Sequence, residues 1–303
     1  VKHSITTKKE AWLHAVRLRT LPLALASIFA GSILAAYYGI FRWEILILAS
    51  LTTIFLQILS NLSNDYGDTV HGADSQEREG PVRAVQSGLI TLSEMKRAMY
   101  LFGMLSFISG ISLIYLALND WVLFSVFLGL GILAIWASVS YTSGGNPYGY
   151  VGLGDLSVFL FFGILGVAGT YFLHGLELNW PIFLIGGSLG CFSTAVLNIN
   201  NIRDIESDQK AGKRSIPVRI GRKAAVKYNW ILIVGGYVLL MIFSLSTGAY
   251  SGLLSILALA VMIPIGLGVQ KAKNPKETDP FLKKMALSTL LWVILLGVGL
   301  LLF

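Results

Sequence analysis

Two runs of acidic and amide side chains carry the residue types and spacing for chemistry in this chain: NLSNDYGDTVHGAD from Asn61 to Asp74, and NIRDIESDQKAGKR from Asn201 to Arg214. Shifted by about 140 residues they align, Asn61 with Asn201, Asn64 with Asp204, Asp68 with Asp208 and Gly72 with Gly212, which reads as a weak internal repeat of motifs at 61–74 and 201–214. At about 3.6 residues per helical turn, positions i, i+3 and i+7 share a face, so Asn61, Asn64 and Asp68 are expected to project together, as are Asn201, Asp204 and Asp208. Two such stripes facing each other would set several oxygen donors around one space. That donor set suits Mg²⁺, which prefers carboxylates and phosphate oxygens to sulfur or imidazole. A diphosphate held through magnesium is the substrate group implied. The competing reading is solvated acids at helix ends, and it would require the cost of carboxylates at membrane depth to be met twice at equivalent places.

Basic residues lie just beyond each run, Arg78 and Arg83 after the first, Lys213 and Arg214 after the second. Arginine can bind phosphate bidentately and lysine acts as a point charge. The same residues also fit the general excess of positive charge on cytoplasmic loops, and the sequence leaves both explanations open. A third polar interruption, YTSGGNPYGYVGLGD from Tyr141 to Asp155, has no Lys or Arg. Its glycines and Pro147 allow a tight connection. Such a loop either packs Tyr141, Tyr148 and Asp155 against a flat aromatic ligand or simply turns the chain between two helices. The four histidines are scattered rather than spaced as metal ligands, and the single Cys191 excludes an internal disulfide and a cysteine metal cluster.

The elements that must hold these residues are membrane helices. The 303 residues are 55% hydrophobic and only 13% charged, with a mean hydropathy of +0.71, too apolar for a soluble domain of this length. Apolar stretches near the length needed to span a bilayer, about 20 residues, recur at 21–40, 45–63, 99–118, 121–141, 156–172, 181–199, 230–245, 253–268 and 285–303. The expectation is an all-α polytopic membrane protein with about nine transmembrane helices bundled around a central cavity, a single integral membrane domain over 1–303. The charged N-terminal segment is read as leading into a retained first helix rather than a cleaved signal. Trp43, Trp121, Trp180 and Trp230 are expected at the lipid–water boundary.

Lys and Arg fall almost entirely in alternate connections, with Arg42 alone in the opposite set. By the positive-inside rule the N-terminus and both acidic runs then face the cytoplasm, in the cytoplasmic (inner) membrane. The net charge of +7 is mostly a cytoplasmic rim that also suits an anionic substrate; no nucleic-acid partner is expected. A secondary transporter is the alternative from another class, because transporters also combine repeats with intramembrane carboxylates. Acids displaced toward one face with cations beside them favour a phosphorylated substrate.

These residues resemble the UbiA superfamily of intramembrane aromatic prenyltransferases, most closely its 1,4-dihydroxy-2-naphthoate polyprenyltransferase branch in menaquinone synthesis. The resemblance runs through RLRTLPLAL at 17–25, NDYGDTVHGAD at 64–74, GPVRAVQSGLIT at 80–91, the 141–155 loop, and NNIRDIESDQKAGKRSIPVRIG at 200–221. It implies a helical bundle around a central cavity, with Asn64, Asp68, Asp204 and Asp208 matching the family's magnesium and diphosphate ligands, and Asp65 and Asp74 in the same motif. Many members carry an acid where this chain has Gly72, so the role of Asp74 is left open. The partners implied are a polyprenyl diphosphate, an aromatic acceptor such as 1,4-dihydroxy-2-naphthoate (4-hydroxybenzoate being an alternative), and membrane lipid, with Mg²⁺ as cofactor.

Overall fold

A computed structural model describes residues 6–71, 84–145 and 147–303. Among them the regular structure is entirely helical: α1 (Lys8–Val16), α2 (Leu21–Tyr37), α3 (Trp43–Val70), α4 (Leu92–Ala117), α5 (Trp121–Ser140), α6 (Gly154–Val158), α7 (Gly166–Gly175), α8 (Ile182–Arg203), α9 (Ile205–Lys210), α10 (Ile216–Thr247), α11 (Leu259–Lys271) and α12 (Pro275–Leu302). Nine helical stretches among the described residues are long and apolar enough to cross a membrane. Three are composite: a 3₁₀ turn, Leu18–Thr20, joins α1 to α2, α6 runs through a π-helical segment, Phe159–Leu165, into α7, and a 3₁₀ segment, Tyr250–Ala258, leads into α11.

Helices outlast the apolar stretches that the sequence shows. At ~1.5 Å rise per residue, the 28 residues of α3 extend well past a hydrocarbon core of roughly 30 Å, and the excess carries Asn61 to Asp68 beyond the apolar part. Polar residues continue the helix because its backbone bonds are internal and need no lipid. Trp43, Trp121 and Trp180 lie exposed at helix ends as expected. Trp230 does not: α10 begins at Ile216, and Trp230 packs within it against Gly266 of α11. Gly221, at φ 77°, breaks the first turn of α10 from the rest.

The centre of the bundle is α8. In its apolar stretch 78% of residues are buried, against 6% in α5, so α8 is surrounded by protein while α5 is not. Leu189, Phe192, Ala195 and Ile199 of α8 join the main core with Tyr237 and Leu240 of α10 and Trp292 and Leu296 of α12. With lipid as apolar as the core, close packing and satisfied polar groups, rather than escape from water, hold such helices together.

One buried amide fixes the entry of the chain. Asn61 donates to the Val16 carbonyl and the Thr20 hydroxyl, each at 2.9 Å, and accepts from Gln57 at 3.1 Å. It therefore pins the α1–α2 junction to α3 through groups that lipid cannot satisfy. A second tie at the same end is the Lys8–Glu94 ion pair from α1 to the start of α4. We expect Asn61→Leu to lower stability by about 1–3 kcal/mol, read as an earlier thermal transition of the purified protein in detergent; an unchanged transition would show that the junction is held without it.

Candidate functional site

The two acidic runs meet at the head of one cavity. Its volume is about 1220 Å³, and Asn61, Asn64, Asp68, Asn201, Asp204 and Asp208 all line it. The first three occupy successive turns of α3, as their spacing predicts. The second three do not share one continuous helix, because α8 ends at Arg203 and Asp204, at ψ 11°, separates it from α9. The backbone ladder nevertheless carries across the break: Asp204 N–H bonds Asn200 and Asp208 N–H bonds Asp204, at 3.1 and 2.8 Å. The stripe bends at Asp204 and still faces the cavity. Below this head the lining is mostly apolar, with Ile28, Leu123, Phe127, Phe162 and Leu173 among its residues.

Each carboxylate is answered by a particular neighbour. Tyr150 Oη donates to Asp68 Oδ1 at 2.9 Å. Arg203 binds both oxygens of Asp204, at 2.7 and 2.6 Å, and reaches Asp279 of α12 at 2.5 Å and Asn200 at 2.9 Å. Lys213 Nζ lies 3.4 Å from Asp208. Burial raises the Asp208 carboxyl above the ordinary carboxylate range, Lys213 pulls it back, and the nearby charges of Asp204 and Asp68 push it up again. Lys213 is itself raised by Asp208, Tyr141, Asp68 and Asp204 against the cost of burial. Three acids thus feel one another across a shared space.

Lys213 is placed by a backbone device. Gly212, at φ +72°, closes α9: the N–H of Lys213 bonds the carbonyl of Asp208 and the N–H of Gly212 that of Gln209, at 2.8 and 3.1 Å. This is the glycine-terminated helix end in which the chain folds back on the last turn. Here it returns the lysine to the carboxylate of Asp208. On the other side, Gly67 lets the 141–153 loop touch α3, since a Cβ at that position would collide with the Thr142 carbonyl. Thr142 then donates to Asn64 and to the Ser63 carbonyl, both at 3.0 Å.

Other sequence-predicted residues fall differently. Asp65 also lines the cavity, but one of its oxygens accepts from the Ala84 N–H at 3.1 Å, anchoring the chain where it re-enters the described residues. Its other oxygen is buried without a partner among those residues. Arg214 does not line the cavity; its side chain is exposed, while its N–H bonds the Tyr150 carbonyl at 2.7 Å. Asp74, Arg78 and Arg83 lie outside the described residues. Tyr141 and Tyr148 do line the cavity, edge to face at 5.3 Å, and burial pushes the Tyr141 hydroxyl to about 12. Tyr148 stacks on Trp136 and donates to the Ala137 carbonyl. Asp155 is not in the lining; it sits buried beside the Tyr228 hydroxyl, behind the wall. Sequence spacing could not separate Asp155 from the tyrosines, because all three share one loop. Arg203 and Tyr150 were missed, although both stand inside quoted motifs.

The donors suit a divalent cation in open coordination. Among the described residues no three His, Cys, Asp or Glu side chains form a closed metal cage. Mg²⁺ seldom needs one, since it binds through one or two carboxylates and completes its shell with water and substrate phosphate. Mutual repulsion of Asp208, Asp204 and Asp68 is the charge pattern such a cation relieves.

Fold and site together define an integral membrane protein that offers buried oxygen donors from α3 and from the α8–α9 run to the head of a largely apolar chamber. The chain belongs to the UbiA prenyltransferase family, whose description it matches over residues 24–301. It is 43% identical to a 1,4-dihydroxy-2-naphthoate octaprenyltransferase of Haemophilus influenzae, covering 99% of this chain and 98% of the relative. The protein of the same description from Escherichia coli is 42% identical, with 97% and 96% covered. Among solved structures, an apo UbiA homologue from Aeropyrum pernix superposes with a TM-score of 0.69 at 18% identity, covering 94% and 98%. One from Archaeoglobus fulgidus, bound to GPP and Mg²⁺, gives 0.64 at 17% identity, covering 97% and 100%. The family membership decides for an enzyme over the transporter alternative, and the solved relatives carry the fold.

Gly212→Ala should cost about 1–2 kcal/mol, because an L-residue is strained in the left-handed conformation, whereas Gly212→Asn should cost less. The check is a melting series paired with the KM for prenyl diphosphate, which should rise in the alanine variant as Lys213 moves. A KM equal to wild type would show that Lys213 is held without the turn.

Proposed function

We propose that this chain transfers a polyprenyl group from polyprenyl diphosphate to 1,4-dihydroxy-2-naphthoate, with loss of the acceptor's carboxylate, in menaquinone synthesis. The observation that carries the reading is the convergence of Asp68, Asp204, Asp208 and Lys213 at the polar head of a largely apolar cavity. Its chemistry accounts for every atom: the C–O bond to the diphosphate breaks, a C–C bond forms at the ring carbon bearing the carboxylate, and CO₂ and diphosphate leave. The identity with relatives described as 1,4-dihydroxy-2-naphthoate octaprenyltransferases supports this acceptor.

Asn64, Asp68, Asp204 and Asp208 would hold Mg²⁺, which supplies positive charge against the charge growing on the departing diphosphate. Lys213 would add its own charge to the same group and, by pairing with Asp208, offsets part of the acidity of the head. Apolar walls exclude water from the allylic carbon, and the ring faces of Tyr141 and Tyr148 can stabilise developing positive charge there. The prenyl tail would occupy the apolar length of the cavity beneath. Whether Arg78 and Arg83 complete the diphosphate cradle is part of the same proposal, as is a second-motif equivalence that makes 1–303 one domain with a weak repeat.

The polar head is proposed to face the cytoplasm in the inner membrane. Support comes from the connections at that end, which hold every Lys and Arg outside the spans except Arg42.

Asp68→Ala and Asp208→Ala should each reduce turnover by at least about 100-fold in protein that still inserts and purifies normally, measured by product mass with prenyl diphosphate and a panel of aromatic acids. EDTA should abolish the wild-type reaction and added Mg²⁺ restore it. Wild-type turnover in either variant, or indifference to chelation, would remove the assigned roles. For orientation, Lys223→Cys in a Cys191→Ala background should react with an impermeant maleimide in inverted vesicles and not in intact cells; the opposite pattern would invert the topology.

A further inference from the structure

The two acidic runs are far apart in sequence, and the residue that connects them belongs to neither. Tyr150 Oη donates to Asp68 Oδ1 at 2.9 Å. Its carbonyl accepts the Arg214 N–H at 2.7 Å, and Lys213 Nζ stands 5.9 Å from the centre of its ring, a cation–π distance. His71 packs at 5.6 Å from the same ring, its own nitrogens 2.8 and 3.0 Å from the carbonyl oxygens of Gly67 and Gly144. One side chain therefore touches the acid of the first run and the lysine of the second, while its backbone fixes the turn that delivers that lysine. Neighbouring contacts anchor the segment further, with Arg219 reaching the Val151 carbonyl at 2.5 Å.

Resting on the metal-holding reading above, we propose that Tyr150 is a positioning residue that sets the distance and orientation between the two ligand runs, aiming the second oxygen of Asp68 at the cation and holding Lys213 over the diphosphate position. Tyr150 is absent from the cavity lining, which distinguishes it from the tyrosines that face the substrate. A hydrogen bond to one carboxylate oxygen fixes the rotamer of the other, and loss of such outer partners costs 10–100-fold in metal affinity in typical sites. The ring contact adds a second constraint that the hydroxyl alone does not supply.

The test is a titration of the full-length protein in detergent with Mn²⁺, followed by electron paramagnetic resonance, in the presence of an unreactive geranyl thiolodiphosphate. Tyr150→Phe keeps the ring beneath Lys213 and loses the hydroxyl; its Mn²⁺ affinity should fall about 10-fold or more with an unchanged melting temperature. Tyr150→His, which keeps a ring donor, should recover part of that loss. Asp68→Asn serves as the control for the site. Failure of wild type to bind Mn²⁺, or of Asp68→Asn to weaken it, would remove the metal reading and this proposal with it. With both controls behaving, a Tyr150→Phe affinity within twofold of wild type, or a loss that only follows a collapse in melting temperature in both Tyr150 variants, would overturn the positioning role alone.

Discussion

Charge cannot be buried in a membrane protein without an answering group, and the carboxylates at the head of one cavity make that the governing constraint here. The answers are distributed over the whole chain. Asp68 on α3 is met by Tyr150 from the 141–153 loop, Asp204 by Arg203, and Asp208 by Lys213 beyond the end of α9. Arg203 in turn is shared with Asp279, so α12 is tied to the site although it contributes no carboxylate to the cavity. Removing one partner of such a pair leaves an unmatched buried charge, which is why the helices cannot slide independently.

The same arrangement explains how a site can be both preformed and receptive. Asp204 and Asp208 each already hold a cation of the protein, Arg203 and Lys213, which offsets part of the acidity of the head. A diphosphate arriving with its divalent ions brings both signs at once. Exchange of partners within the head, rather than entry of a bare charge into an apolar chamber, is the energetically accessible route.

Much of this was legible in the sequence, for identifiable reasons. Membrane spans follow from composition, and the α3 stripe follows from helical periodicity because Asn61, Asn64 and Asp68 lie in one uninterrupted helix. The second stripe was legible as a set of residues but not as a shape, since nothing in the pattern marks the break at Asp204. Helix ends were underestimated because apolarity measures contact with lipid, and α3, α4, α10 and α12 continue past it. What periodicity cannot show is pairing across long separations. Tyr150 is 82 residues from Asp68, and Arg203 is 76 from Asp279. Arg214 illustrates the opposite limit: it sits beside Lys213 in sequence, yet the turn at Gly212 sends one side chain into the cavity and leaves the other outside.

The π-helical stretch between α6 and α7 forms part of the cavity wall, where Phe161, Phe162, Ile164 and Leu165 face inward and the Ser27 hydroxyl captures the Phe162 carbonyl. A wide turn of this kind holds roughly one residue more than an α-turn, so everything after it is rotated by about 100° relative to an uninterrupted helix. Losing a single codon there would tidy the local backbone and, at the same time, swing Ala168, Thr170 and Phe172 around the axis. The wall is thus far more tolerant of exchanges of side chain than of any change in its length, and variation in chamber shape among related chains is expected to arise by substitution at fixed register.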